Sequence, residues 1–302
     1  RSLHPNANGK FSIHSIKARS RQEPAPPGTA AVDLPCGQCI GCRLERSRKW
    51  AVRCMNEASL YSDNCFITLT YRDEFLPANG SLDKDAFQLF MKRLRKKFGS
   101  GPRYFQCGEY GEKFSRPHYH ACLFNFDFPD KVPYKELPNG SFLYTSAVLA
   151  SLWPFGFSTV GAVTFDSAAY VARYCLKKVT GDKAVPHYTR LDAETGELYE
   201  LYPEFVRMSR RPGIGSKWYE KFSRDVYPSD FLISRGFKMK PPRYYDGLYE
   251  FQDKLSMEAI RERRAIKGYD ARYDNTLDRL KVREKVAHAK LSNLKRSFEN
   301  AS

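Results

Sequence analysis

Arg116-Pro117-His118-Tyr119-His120-Ala121-Cys122-Leu123-Phe124-Asn125 is the stretch from which the fold reads. It is a run of β-favouring residues. On a strand, successive side chains alternate between faces, so His118 and His120 point one way and Tyr119 the other. Two imidazoles on one face make half of a metal site. The same pair is also what a half-exposed strand shows when no metal is involved, so the surroundings have to decide.

Upstream, Arg103 to Glu109 reads as a strand, and the loop from Tyr110 to Pro117 turns it back into the histidine strand. In that hairpin Glu109 lies beside the histidines and faces the same way. Two imidazoles and one carboxylate form a divalent-metal triad with open positions. Glu112 is the second candidate for the carboxylate. Further upstream, Cys65-Phe66-Ile67-Thr68-Leu69-Thr70-Tyr71 reads as a buried strand. A turn follows through Pro77-Ala78-Asn79-Gly80. The spacing of Phe87, Phe90, Met91, Leu94 and Phe98 predicts a helix from Asp83 to Phe98, ended by Gly99. Downstream, a short helix is expected over Tyr144 to Trp153, a strand over Phe157 to Val163, and a helix over Ser167 to Val179 with Ser167 as N-cap. From Cys65 to Val163 the order is β-α-β-β-α-β. The expected fold class is α+β, a ferredoxin-like, four-stranded antiparallel sheet with two helices on one face. RRM domains share that layout and use the open sheet face for single strands.

Lys and Arg number 50 against 34 Asp and Glu, a formal charge of +16 in 302 residues. Such a balance favours polyanions. The 19 Tyr and 21 Phe interleave with the basic residues, a mixture that suits single-stranded nucleic acid. No apolar run approaches a membrane span and Arg1 to Arg21 has no apolar signal core, so a cytosolic protein without a membrane partner is expected. Residues 1–34 read as a flexible tail, 35–240 as the main domain, and 241–302 as a basic helical extension in which Lys, Arg and Glu alternate with sparse Leu, Ile and Val. Cys36, Cys39 and Cys42 have zinc-ligand spacing, with Cys54 the nearest fourth candidate; a tight glycine turn ahead of a helix from Leu44 to Tyr61 accounts for them equally.

Tyr170 and Tyr174 are four apart on the expected helix and share a face. A tyrosyl oxygen, with a pKa of about 10, is a poor nucleophile near neutral pH. A metal on the phosphoryl oxygens and a lysine such as Lys177 would supply what it lacks. Core packing is the ordinary account of such a pair, but the flank here is Arg173, Lys177 and Lys178 rather than apolar. Arg116, Arg173, Lys178, Arg210 and Arg211 are the expected DNA contacts. The last two sit in Arg210-Arg211-Pro212-Gly213-Ile214-Gly215, a loop able to present backbone N–H groups to phosphate.

The His-x-His strand, the Phe-Ile-Thr-Leu-Thr-Tyr strand and the Tyr-x-x-x-Tyr-x-x-Lys helix together resemble the HUH endonucleases, the rolling-circle replication initiators. Pro35 to Arg43, the Tyr170 helix and Met208 to Gly215 resemble the initiators of gokushovirus-like microviruses, small single-stranded DNA phages, over about Pro35 to Tyr227. The resemblance implies Mg²⁺ or Mn²⁺ held by His118, His120 and Glu109, with Tyr170 and Tyr174 as nucleophiles. It implies nicking at a single-stranded origin, a 5′-phosphotyrosine link and later rejoining without ATP. It implies host helicase and polymerase as partners, in the bacterial cytoplasm. Other readings keep part of these features: a non-enzymatic RRM-like binder, an HUH transposase or relaxase, or a water-using metal nuclease.

Overall fold

The computed structural model describes residues 2–5, 11–14, 30–31, 37, 39–111, 114–137, 140–174, 178–179, 181–192 and 195–292. Lys177, Glu112 and Cys36 therefore lie outside the described residues. Three short strands, β1 (Ser2–Pro5), β2 (Phe11–His14) and β3 (Ala30–Ala31), pair in the order β2-β1-β3. They precede α1 (Ile40–Ala58), which starts earlier than its apolar spacing suggests.

The central unit then runs β4 (Asn64–Leu69), α2 (Ala86–Phe98), β5 (Arg103–Tyr110) and β6 (Pro117–Phe124). Phe87, Phe90, Met91 and Leu94 form the buried stripe of α2, each worth roughly 1.5–3 kcal/mol when fully withdrawn from water. Gly99 closes the helix at φ +86, a conformation costly for other residues, and its N–H donates to Arg95 O. After β6 come β7 (Val132–Glu136), β8 (Phe142–Thr145), α3 (Ala147–Leu152), β9 (Ser158–Gly161) and α4 (Phe165–Tyr174). The helix expected from Tyr144 begins only at Ala147. Phe142, Leu143 and Tyr144 favour a strand, Tyr144 is in register with Val160, and Ser146 caps α3 by accepting from Leu149 N at 3.0 Å. The chain continues through α5 (Ala184–Tyr188), β10 (Thr189–Leu191), β11 (Leu198–Glu200) and β12 (Phe205–Met208). It ends in α6 (Ser216–Val226), β13 (Leu232–Ser234), β14 (Phe237–Met239), α7 (Arg243–Gln252), α8 (Lys254–Asp270) and α9 (Leu277–Ser292).

The fold is α+β, built on a seven-stranded antiparallel sheet in the order β12-β5-β6-β4-β9-β8-β7. Its middle, β5-β6-β4-β9, holds the four strands of the expected unit. β12 extends one edge and the β7–β8 hairpin the other. Helices α2 and α3 cover one face, where Phe90, Leu94 and Leu149 meet Ile67, Tyr119 and Leu123. The other face is not open as in an RRM domain. Helices α1 and α4 cover it, with Ala51, Cys54, Ala168 and Val171 against Phe66, Phe105, Cys122 and Phe124. The physical reason is in the strands: β4 and β6 are apolar at nearly every position, so both faces must be buried.

A third cluster joins Val52 of α1 to Tyr219, Tyr245, Met257 and Ile260. Arg264 ties it together, donating to Asp230 and Asp246 at 2.9 Å each. The segment expected as exposed helices thus buries Tyr245, Met257 and Ile260, whereas α9 leaves Leu280, Val282 and Val286 exposed.

Candidate active site

β6 lies between β5 and β4, and the registers set the site. Glu109 is opposite His118, Cys107 opposite His120, and Thr68 opposite His120 on the other side. Cross-strand partners share a face, so Glu109, Thr68, Phe66, His118 and His120 project together. Tyr119 turns to the opposite face, fully buried, where its hydroxyl donates to Asp83 O at 2.6 Å. Burial raises the Tyr119 phenol and pushes that of its neighbour Tyr71 up to about 12, so both act as structural hydroxyls.

His120 Nε2 lies 2.9 Å from Glu109 Oε1, and its Nδ1 lies 3.0 Å from Thr68 Oγ1. His118 Nδ1 donates to Arg116 O at 2.6 Å. The two imidazole rings are nearly parallel, with centroids 6.4 Å apart. His120 and Glu109 are each about 3% exposed, so this chemistry is withdrawn from bulk water. Thr68 was missed from sequence as a site residue, although its place on the strand beside the histidines was the available signal.

Helix α4 brings tyrosine to this cluster. Tyr170 is 3% exposed, its ring edge-on to His120 at 5.1 Å between centroids and edge-on to Phe66 at 6.4 Å. The N-terminus of α4 is set by Thr164, not Ser167. Thr164 Oγ1 accepts from Ser167 N at 3.1 Å, and Ser167 Oγ accepts from Thr164 N at 2.8 Å, a reciprocal cap worth about 1 kcal/mol. Ser47 Oγ donates to Ala169 O at 2.8 Å and locks α4 onto α1. Tyr174 is the last residue of α4, one turn beyond Tyr170. Arg173 sits with its guanidinium 6.0 Å from the Tyr170 ring, and Lys178 is exposed.

The donor set suits a hard divalent cation. Both histidines engage Nδ1 with a protein oxygen, which leaves Nε2 as the ligand nitrogen. The 2.9 Å between His120 Nε2 and Glu109 Oε1 matches the roughly 3 Å between adjacent ligands of an octahedral ion at about 2.1 Å. Among the described residues, no three His, Cys, Asp or Glu side chains yet converge to hold an ion, so His118 must swing inward to complete the set.

A model of the replication-associated protein ORF2 family matches residues 64–179, the segment that carries this site. The replication-associated protein VP4 of Bdellovibrio phage phiMH2K is 34% identical over 254 residues, covering 81% of this chain and 74% of that protein. The replication-associated protein ORF2 of Spiroplasma virus 4 is 36% identical over 246 residues, covering 76% of this chain and 72% of that protein. The chain belongs to the replication-associated proteins of the microviruses. The replication-associated protein ORF4 of Chlamydia phage 1 is 29% identical, covering 71% of this chain and 53% of that protein. No solved structure matches the chain.

The remaining expected contacts of this replication-associated protein are distributed differently. Arg116 is committed to structure, paired with Asp73 and donating to Tyr71 O at 2.8 Å. Arg210 and Arg211 are exposed, but the loop after them does not offer all its N–H groups to phosphate. Gly215 N donates to the buried Glu57 carboxylate at 2.6 Å, and Ser216 N to Gly213 O at 3.0 Å. Glu57 also receives Arg103 Nε at 2.5 Å, and Arg103 donates to Pro212 O at 2.7 Å. This pair holds the Arg210–Arg211 loop against α1, and nothing local in sequence marks it. Cys54 cannot complete a zinc site with Cys42. The two are twelve residues apart on α1, about 18 Å along its axis, and Cys54 is buried against the sheet. Among the described residues no helix is long and apolar enough to cross a membrane.

Proposed function

We propose that this protein is an HUH-type tyrosine endonuclease and strand transferase that starts rolling-circle replication by nicking a single-stranded origin. The observation that carries the reading is the contact of Tyr170 with His120, which itself meets Glu109 and Thr68. Three strands and a helix far apart in sequence converge on one small cluster that combines a hydroxyl nucleophile with hard metal ligands.

His118, His120 and Glu109 would hold Mg²⁺ or Mn²⁺, which when bound supplies Lewis-acid polarisation of the scissile phosphate. The chain's own residues do the rest. Tyr170 or Tyr174 presents its oxygen to phosphorus. An O–P bond to tyrosine forms as the P–O3′ bond breaks, the phenolic proton leaves to solvent, and the 3′ oxygen takes up a proton as a free 3′-OH. Lys177 is assigned to the attacking or leaving oxygen, and Arg173 and Lys178 to flanking phosphates. The second tyrosine on the same helix face then attacks the regenerated junction, and the released 3′-OH closes the circle against the first phosphotyrosine. The 3′-OH would serve a host polymerase, with a host helicase opening the strand in the bacterial cytoplasm. An RRM-like binder is less well supported, because α1 and α4 occupy the sheet face such a protein needs.

The test is a covalent-adduct assay. Labelled single-stranded phage origin DNA incubated with the protein and Mn²⁺ should yield a labelled protein band on a denaturing gel, lost on chelation. Cleavage without a labelled band would replace tyrosine with water as nucleophile. Binding with neither cleavage nor adduct would return the protein to a binding module.

Thr68 gives a second expected result. Valine keeps its shape and its strand preference but removes the hydroxyl from His120 Nδ1. Loss of such an outer partner costs about 10–100-fold in metal affinity. Titration calorimetry with Mn²⁺ should show that weakening in Thr68→Val. An unchanged affinity would mean Thr68 does not orient the ligand.

A further inference from the structure

Residues that the site does not use gather between α2 and β12. Lys84, Lys92, Arg95, Arg207 and Arg210 line a groove of about 720 Å³ with Tyr104 in its wall, and Asp85 is the one carboxylate among the described lining residues. Topology explains the gathering. Lys84, Lys92 and Arg95 lie in or just before α2, on the side turned away from the sheet or at its margin. Arg207 is in register with Gln106, which shares the strand face of Tyr104. That face is the one covered by α2, opposite the face of Glu109 and the histidines. Arg207 is held in place by donating to Lys84 O at 2.7 Å. Tyr104 packs one side against Phe87, at 5.4 Å between centroids, and is only half-buried. Two buried polar groups here lack hydrogen-bond partners among the described residues: Arg95 Nε in the groove wall, and both amide atoms of Gln106 beside it.

We propose that this groove binds the sugar–phosphate backbone of single-stranded DNA, as a second contact separate from the tyrosine–histidine site. Five cations against one carboxylate select a polyanion. A half-exposed tyrosine among them suits a base stacked beside a tracked backbone. The volume admits one strand, whereas a duplex, whose major groove alone is about 12 Å wide, could only lie across the mouth. Tyr104 and Glu109 are five residues apart on β5, about 17 Å, and on opposite faces. A strand joining the two sites therefore rounds the β12 edge past Arg210 and Arg211. The assignment of the strand as origin DNA rests on the proposed function, but binding in the groove does not need cleavage.

The test is fluorescence anisotropy of labelled (dT)₃₀ with EDTA present, so that no nicking enters. Lys84 and Lys92 are exposed, and Lys84→Ala/Lys92→Ala should keep the wild-type melting temperature. Affinity should fall about tenfold near 0.15 M salt, and the slope of log K against log salt should drop by about 1.4, at roughly 0.7 per lost phosphate contact. Lys281→Ala/Lys285→Ala on α9, which removes the same charge, should leave both unchanged. Equal loss from the α9 pair would reduce the groove to net charge alone. No loss from the α2 pair would remove the site, and equal dependence for a 30-base-pair duplex would overturn single-strand selection. None of these outcomes depends on whether an adduct forms.

Discussion

Tyr170→Phe/Tyr174→Phe is expected to abolish the covalent DNA adduct, lowering strand cleavage by about 10⁴-fold or more, the scale on which removal of an enzymatic nucleophile acts. Phenylalanine retains the ring of Tyr170, which is edge-on to His120 and Phe66, so the packing that positions the histidines survives. DNA affinity and melting temperature should therefore stay near wild type while the adduct disappears. Each single variant should still form an adduct through the remaining tyrosine but fail to rejoin strands, because the second transfer then lacks its nucleophile. Residual adduct at wild-type level in the double variant would place the nucleophile outside α4. Normal rejoining in a single variant would remove the alternation while leaving the nuclease.

The second large effect falls on stability, not chemistry. Glu57→Ala should destabilise the fold by about 3–5 kcal/mol, the usual cost of stripping one partner from a buried ion pair. The Glu57 side chain is 1% exposed and that of Arg103 is 12% exposed. Its loss strands the Arg103 guanidinium and also removes the acceptor of Gly215 N. Against a typical total of about 5–15 kcal/mol this is a large share, corresponding to roughly 10 °C in melting temperature. Urea denaturation would measure it. Because Arg103 and Gly215 anchor the loop that carries Arg210 and Arg211, DNA affinity should fall as well. Glu57→Met/Arg103→Met should recover much of the stability, since apolar residues of similar volume remove the stranded charge. A loss below about 1 kcal/mol for Glu57→Ala would show that water reaches the pair.

Much of the site was legible because strand alternation is a local rule. His118 and His120 share a face in any strand, and a hairpin loop of known length is enough to bring Glu109 opposite His118. The α2 stripe was equally legible, since its spacing repeats without interruption. The start of α3 was not, because Tyr144 and Thr145 are compatible with either state until β9 offers a partner. The cap of α4 was misplaced because Thr164 and Ser167 are equally good caps by composition, and only the folded turn shows that they act as a pair.

By itself the sequence determined an α+β chain, a basic partner surface, the facing of His118, His120 and Glu109, and the resemblance that its relatives bear out. These follow from periodicity, charge and motif, all of which survive without knowledge of long-range contacts. Only the tertiary structure decided that α1 and α4 close the second sheet face, that Tyr170 meets His120, that Glu57 and Arg103 anchor the Arg210 loop, and that α2 and β12 form a basic groove. Each joins elements tens of residues apart or more, and neither period nor propensity carries that information, because it is set by which buried surfaces fit together.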